Sequence, residues 1–183
     1  LSRRYYKKGC YYYMKHKKIV TFKEILQERQ LAKDIEKFGV KKFFIFTNGC
    51  FDLFHSGHAT LLSAMKNCCS LNSKLIVGIN NDSSVKSLKG KNRPILNSKQ
   101  RAYTVACHES VDYVFTFDTK TVAKQLRELQ PDFWCKGGDY DNDSLKKSEL
   151  NAFWSNPTAG AIKFIPFIDN ISTTDIINKI NEN

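Results

Sequence analysis

His55 and His58 flank Gly57 at the end of the run Thr47-Asn48-Gly49-Cys50-Phe51-Asp52-Leu53-Phe54-His55-Ser56-Gly57-His58. Imidazoles at this spacing on one helical turn face the same way. They can donate hydrogen bonds to a phosphate whose negative charge grows during a reaction. Phe43–Phe46 ahead of the run reads as a strand, and Ala59–Lys66 after it reads as a helix. A strand, a glycine-bearing turn and a helix N-terminus make a phosphate site, because the first helical amides are unpaired and carry the positive end of the dipole. Gly57 has no side chain and lets a ligand approach the backbone. Taken alone, His-x-Gly-His would fit two surface histidines in a turn. Zinc lacks a third and fourth ligand at metal spacing nearby. The strand, the helix and the Gly49-Cys50-Phe51-Asp52 lead-in together favour the phosphate site.

Three other segments carry chemistry. Lys89, Lys91 and Arg93 crowd a glycine-containing loop, with Arg101 on the next helix. Such a cluster is either a solvated basic loop or a clamp that closes over phosphates, with Arg bidentate and Lys a point charge. Lys136-Gly137-Gly138-Asp139-Tyr140 leaves a strand end. A plain turn and a ligand site both fit it, with Asp139 available to sugar hydroxyls or a metal ion. Ser172, Thr173 and Thr174 open the last helix. Ser172 as N-cap and hydroxyls on phosphate oxygens are compatible readings. Cys50 lies inside the histidine motif, but no base-and-orienter arrangement is evident, so it reads as a small filling side chain rather than a nucleophile.

The elements that must position these residues alternate along the chain. Thr21 and Glu24 form a capping box for a helix through about Phe38, with Ile25, Leu26 and Leu31 as its apolar face and Gly39 as its end. Strands follow at Phe43–Thr47, Leu75–Ile79, Tyr113–Phe117, Phe133–Lys136 and Ile162–Ile165. Helices are expected after the histidine motif to about Asn67, in a short piece to about Leu88, from a Ser98 cap through Cys107, over Thr121–Leu129, over 144–155 and over Thr173–Asn181. Strict alternation predicts a single α/β domain, Rossmann-like, with a doubly wound parallel sheet of about five strands. Ligands of such sheets bind beyond the C-terminal strand ends, and the motifs follow strands one, two, four and five.

Composition narrows the partners. The 183 residues suit one domain, and 42% hydrophobic content is ordinary for a globular chain. No apolar run approaches a membrane span, and no apolar segment follows the basic start as in a secretory signal. The net charge of +11 suggests nucleic acid, but its distribution does not. Residues 1–18 hold Arg3, Arg4, Lys7, Lys8, Lys15, Lys17 and Lys18 and no acid, which leaves 22 basic against 18 acidic residues in the rest. Residues 1–17 are therefore expected to be a disordered or vector-derived extension, with Met14 a candidate start, and 18–183 the folded domain. The competing reading is a basic nucleic-acid-binding module using the Tyr- and Lys-rich tail. Six cysteines without a C-x-x-C pair read as free thiols in a reducing, cytoplasmic compartment.

The histidine run resembles the motif of the nucleotidyltransferase superfamily, whose members attach a nucleoside monophosphate to a phosphorylated acceptor and release pyrophosphate. With Leu88-Lys89-Gly90, Arg93-Pro94, Gln100-Arg101, Val111–Val114, Lys136–Tyr140 and Ser172–Thr174, the resemblance narrows to bacterial heptose 1-phosphate adenylyltransferases and covers roughly Lys18 to Ile180. Lys136–Tyr140 and Phe167 favour that branch over the similar glycerol 3-phosphate cytidylyltransferases, which are the alternative. Asn170 stands where the family usually has Gly, the segment from Tyr140 to Ser172 is a few residues longer, and no kinase domain accompanies it.

The resemblance implies AMP transfer from ATP to a sugar 1-phosphate. His55, His58 and Lys89 become the catalytic candidates, with Arg93 sharing in charge neutralisation. Thr47, Asn48, Gly49, Cys50, Phe51, Asp52, Gly57, Lys136, Gly137, Asp139, Ser172, Thr173 and Thr174 would shape the nucleotide and acceptor sites. Mg2+ would bridge triphosphate oxygens, with few protein ligands. Enzymes of this superfamily often dimerise, so a homodimer is the implied protein partner.

Overall fold

Apolar runs and helix caps set the element order. In a computed structural model, which describes residues 16–69, 72–138, 141, 143–166 and 171–182, the chain runs α1 (Phe22–Glu36), β1 (Phe43–Gly49), α2 (Ser56–Asn67), β2 (Ser73–Asn80), α3 (Asp82–Lys89) and α4 (Ser98–Ala106). It continues through β3 (Tyr113–Phe117), α5 (Ala123–Leu129), β4 (Phe133–Gly137), α6 (Lys147–Trp154), β5 (Ala161–Ile165) and α7 (Thr173–Asn181). The five strands form one sheet in the order β3-β2-β1-β4-β5, and every pairing is parallel. Strand order reverses between β1 and β4, and a doubly wound sheet opens its ligand crevice at that point.

Alternating side chains on the strands feed two cores. Phe44, Phe46, Ile76, Phe115 and Trp134 pack with Ile25 and Ala32 of α1, Leu126 and Leu129 of α5 and Phe153 of α6. On the other face, Ile45, Leu75, Val77, Ile79 and Val114 pack with Leu61, Leu62 and Met65 of α2 and with Ala102 and Val105 of α4. Each fully buried side chain of this size stabilises by about 1.5–3 kcal/mol.

Several boundaries differ from the sequence expectations. The cap of α4 is Asn97, one residue before Ser98. Its side chain accepts from the Gln100 amide, while Gln100 accepts from the Asn97 amide. Leu31 is 55% exposed, and the buried face of α1 is Ile25, Arg29 and Ala32. Arg29 is inside because its guanidinium meets Asp132 at 2.8 Å and stacks over Phe44. The same Asp132 oxygen accepts from the Phe44 amide, so this pair fastens β4 beside β1. α5 and α6 start later than expected, at Ala123 and Lys147, and residues 121–122 and 144–146 line the cleft instead.

Lys18–Val20 pair alongside β3: the Val20 amide donates to the Val114 carbonyl, and the Val114 amide to that of Lys18. No described helix is long and apolar enough to cross a membrane. The expected tail, residues 1–15 of it, lies outside the described residues, as do Asp139, Tyr140, Phe167 and Asn170.

Candidate active site

β1 delivers Thr47, Asn48 and Gly49 to the crevice, and the chain then turns sharply. Phe51 and Leu53 both adopt left-handed backbone, at φ 49 and 48. Each costs on the order of 1–3 kcal/mol for a non-glycine residue and persists only where the surroundings over-determine it. Asp52, between them, is the anchor. Its buried carboxylate accepts from the Arg93 Nε at 2.8 Å, the Ile95 amide at 2.9 Å and the Leu96 amide at 3.0 Å. Burial works against its charge, but these bonds outweigh it and hold the carboxyl below the usual range. The Asp52 carbonyl accepts from the Thr173 hydroxyl at 2.6 Å, which docks the start of α7 on the loop.

Arg101 does not join a phosphate clamp. It is fully buried and donates to the carbonyls of Cys50, Asn80 and Leu96 and to the Asp82 carboxylate. In the fold it ties the β1 loop to the end of β2. The Lys89–Arg93 segment is likewise fastened at both ends, by Lys89 inside α3 and by Arg93 on Asp52.

The two histidines meet as their spacing requires. His55 is the N-cap of α2 in extended conformation, and its ring centroid lies 3.9 Å from that of His58. The His55 amide donates to His58 Nδ1 at 3.4 Å, which leaves the proton of the neutral ring on Nε2. Phe51 and Phe54 flank the His58 ring at 5.2 and 5.6 Å. Burial, then the neighbouring His55 and Lys89, push the His58 pKa down to about 4, and burial lowers that of His55. His58 is therefore a neutral donor at physiological pH.

Gly57 serves a purpose other than ligand approach. A Cβ there would sit 3.1 Å from the His55 ring and 3.3 Å from Ile171, so the missing side chain makes room for the imidazole. At Gly137 a Cβ would fall 2.2 Å from Leu61, so that glycine lets α2 pack against β4. Gly138, at φ 92, makes the turn.

A cleft of about 490 Å³ opens at these strand ends. Of the expected residues, Thr47, Asn48, Gly49, Cys50, Phe51, Asp52, His58, Lys89, Arg93, Lys136, Gly137 and Thr173 line it. His55 and Gly57 are not among the residues that line the wall. Ser172 spends its hydroxyl on the α7 cap with Asp175, and Thr174 is exposed away from the wall. The Cys50 thiol is pushed up by burial and stays protonated, as suits a filling residue.

Lys136 is buried, donates to Asn48 Oδ1 at 2.8 Å and sits over the Trp134 ring. Burial brings its pKa down to about 8; Glu149 opposes that shift and Lys146 adds to it.

Lys120, Thr121, Lys146 and Glu149 also line the cleft and were not singled out from sequence. They follow β3 or open α6. The strand-end rule applied to β3 would have flagged Lys120 and Thr121, which carry no glycine or histidine signature. Glu149 accepts from the Val122 amide at the start of α5. Lys89, Arg93, Lys120, Lys136 and Lys146 outnumber two carboxylates already bound by the protein, so the cleft is built for a polyanion. Among the described residues, no three His, Cys, Asp or Glu side chains gather as a metal site.

Comparison with known proteins agrees with this arrangement. Residues 46–179 match the cytidylyltransferase-like family. The chain is 40% identical over 165 residues to the bifunctional protein HldE of Aliarcobacter butzleri, covering 90% of this chain and 31% of that protein. HldE of Helicobacter pylori J99 is 40% identical over 160 residues, covering 87% and 32%. The chain thus spans about a third of the length of these relatives. A crystal structure of the lipopolysaccharide core biosynthesis protein from Thermoplasma volcanium superposes with a TM-score of 0.54 at 21% identity, over 70% of this chain and 98% of that one, a likeness of fold. With the histidine pair at the start of α2 and the basic cleft at the sheet's switch point, the chain belongs to the cytidylyltransferase-like family of nucleotidyltransferases.

Proposed function

We propose that this domain transfers AMP from ATP to a sugar 1-phosphate, a heptose 1-phosphate by its resemblance, and releases pyrophosphate. The observation that carries the reading is the His58 ring: neutral, its Nε2–H set by the backbone, at the start of α2 in a lysine-lined cleft. An acceptor phosphate oxygen attacks the α-phosphorus. A new P–O bond forms as the bond to the β-phosphate oxygen breaks, and pyrophosphate leaves in line. The acceptor phosphate is already ionised, so no strong base is needed, and catalysis is positioning and charge stabilisation.

In this scheme His58 donates to the oxygens where charge develops, and the His55 ring, its centroid 3.9 Å away, holds that of His58 in place. Lys89, Arg93 and Lys136 neutralise the polyphosphate. Thr47, Asn48, Gly49 and Thr173 shape the nucleotide side. Asp52 positions Arg93, and its side chain is engaged away from ligand.

Magnesium bound with the nucleotide would supply charge neutralisation on the triphosphate. The donor set suits an ion held mostly by phosphate oxygens and water, because Asp52 and Glu149 are committed to protein partners. The extent of the domain, 18–183, belongs to the same proposal.

Pyrophosphate release from each NTP against a panel of sugar and polyol phosphates tests the reading. ATP with a heptose 1-phosphate should give the highest kcat/KM. CTP with glycerol 3-phosphate giving the highest value would move the domain to the cytidylyltransferase reading. No release with any pair would end both.

A further inference from the structure

The sheet divides the cleft into two walls. α2 and α4 pack on one face, with the core around Ile45 and Val77, and α5 and α6 on the other, with the core around Phe46 and Trp134. His58, in the first turn of α2, and Arg93, fastened to the loop that leads to it, line the cleft from the first face. Lys120, Thr121 and Val122 ahead of α5, with Lys146 and Glu149 of the α6 start, line it from the second. Polyphosphate neutralisation by Lys89, Arg93 and Lys136 leaves Lys120 and Lys146 unused.

The second wall is built as one piece. Lys146 Nζ donates to the Lys120 carbonyl at 3.2 Å. One turn on, the Glu149 carboxylate accepts from the Val122 amide at 2.9 Å. Within the loop the Thr119 hydroxyl donates to the Thr121 carbonyl at 2.7 Å. Loop and helix are thus joined twice, and lysines 26 residues apart in sequence share one stretch of wall. An ammonium has three donors, so its bond to the carbonyl leaves Lys146 able to hold an anion as well.

Building on the nucleotidyl-transfer reading, we propose that Lys120 and Lys146 form a second anion subsite, which binds the acceptor as a phosphate monoester on the wall opposite the leaving pyrophosphate. In-line displacement sets the attacking and leaving oxygens on opposite sides of the α-phosphorus. The acceptor oxygen bonds to that phosphorus as pyrophosphate departs with the electron pair of the broken bond. Both substrates are anions and repel each other at contact. One cluster of cations would draw them to the same place, whereas cations on two walls hold them apart and in line. Lys89 and Arg93 serve the polyphosphate, and Lys120 and Lys146 the incoming monoester. The charges felt by buried groups follow the same division. Cys50 is raised first by burial, and the cations that oppose this are Lys89, Arg101 and Arg93. Lys136 is lowered first by burial, and its charged neighbours are Glu149 and Lys146. A lysine point charge on a flexible stem suits a monoester, whose phosphate must turn one oxygen towards the α-phosphorus.

The test follows the backbone amides of the isotope-labelled full chain by NMR while inorganic phosphate is titrated in. It is run without nucleotide and again with the chain saturated by magnesium and the α,β-methylene analogue of ATP. With the analogue bound, phosphate should still give saturable shifts at Lys120, Thr121, Val122 and Lys146. Lys120→Met and Lys146→Met should each weaken phosphate by about tenfold. Their affinity for the analogue should stay within about twofold of the parent chain. Lys146→Arg should restore phosphate binding, and in turnover the Met variants should raise KM for the acceptor but not for ATP. Phosphate shifts confined to His58, Lys89 and Arg93 would overturn the proposal, as would Met variants that lose the analogue as much as phosphate. The titration of the unsubstituted chain decides the matter even if a variant does not fold. A chain that binds no ATP analogue would fail the nucleotidyl reading instead, and the titration without nucleotide would still show whether this wall takes phosphate.

Discussion

Arg93 donates its Nε–H to Asp52 at 2.8 Å, and the two are 41 residues apart in sequence. This pair joins the left-handed loop after β1 to the segment before α4, with the Asp52 side chain fully buried and that of Arg93 12% exposed. One contact therefore couples the Arg93 charge in the cleft to the loop that leads to the histidines.

Asp52→Ala should unfold at lower temperature and lose activity together. Breaking a buried ion pair by removing one partner typically costs about 3–5 kcal/mol. At ~2–4 °C per kcal/mol for a chain of this size, Tm should fall by roughly 6–20 °C. Calorimetry beside pyrophosphate release checks this; an unchanged Tm would show that the loop is held by other means.

His58→Ala should keep the fold and lose turnover. Removing one preorganised donor to developing negative charge costs about 10²–10³ in kcat. Its KM for ATP should move much less. Turnover within a few fold of the parent chain would remove His58 from the reaction.

Gly57→Ala tests whether the His55 ring needs the space beneath it. A methyl group 3.1 Å from that ring must displace it or Ile171. Misplacing a supporting group by about 1 Å can cost ~10²-fold, so kcat should drop well beyond any change in Tm. Parent-like kcat would mean that the pair tolerates the shift.

The pH profile should carry the signatures of two buried groups. With His58 depressed to about 4, kcat/KM should be flat from about pH 6 to 7.5, where an ordinary histidine would titrate. Lys136, near 8, should give a basic limb as its positive charge is lost, and Lys136→Arg should push that limb upward. Stability follows the same logic with its own sign. The unfolded chain protonates His58 at about 6.5 and the folded one at about 4. Stability from this group is present above 6.5 and is lost as pH falls towards 4. A kcat/KM limb near 6.5 that disappears in His58→Ala would contradict the buried, neutral ring.

The sheet and the histidine turn were legible because their signals are local. Leu75–Ile79 is a continuous apolar run, Thr21 and Glu24 cap within one turn, and His55 and His58 need only the start of α2. Arg93 was legible as a cation for phosphate, but its bond to Asp52, 41 residues away, was not, and neither was the burial of Arg101, whose partners Cys50, Asn80 and Asp82 lie 51, 21 and 19 residues away. Lys120 and Lys146 were missed for a related reason. Each is one more lysine in a basic chain until β3 and α6 bring both to the cleft.

The short pairing of Lys18–Val20 with β3 sets where the chain can be trimmed. Without it, β3 would present a bare row of amides and carbonyls at the margin of a five-stranded sheet, a template on which other molecules can add strands. Removing residues 1–17 keeps that cover. Removing four more residues takes away Lys18, Val20 and the Thr21 cap together. The solubility of shortened chains should therefore break sharply within this interval, long before any residue of the cleft is touched.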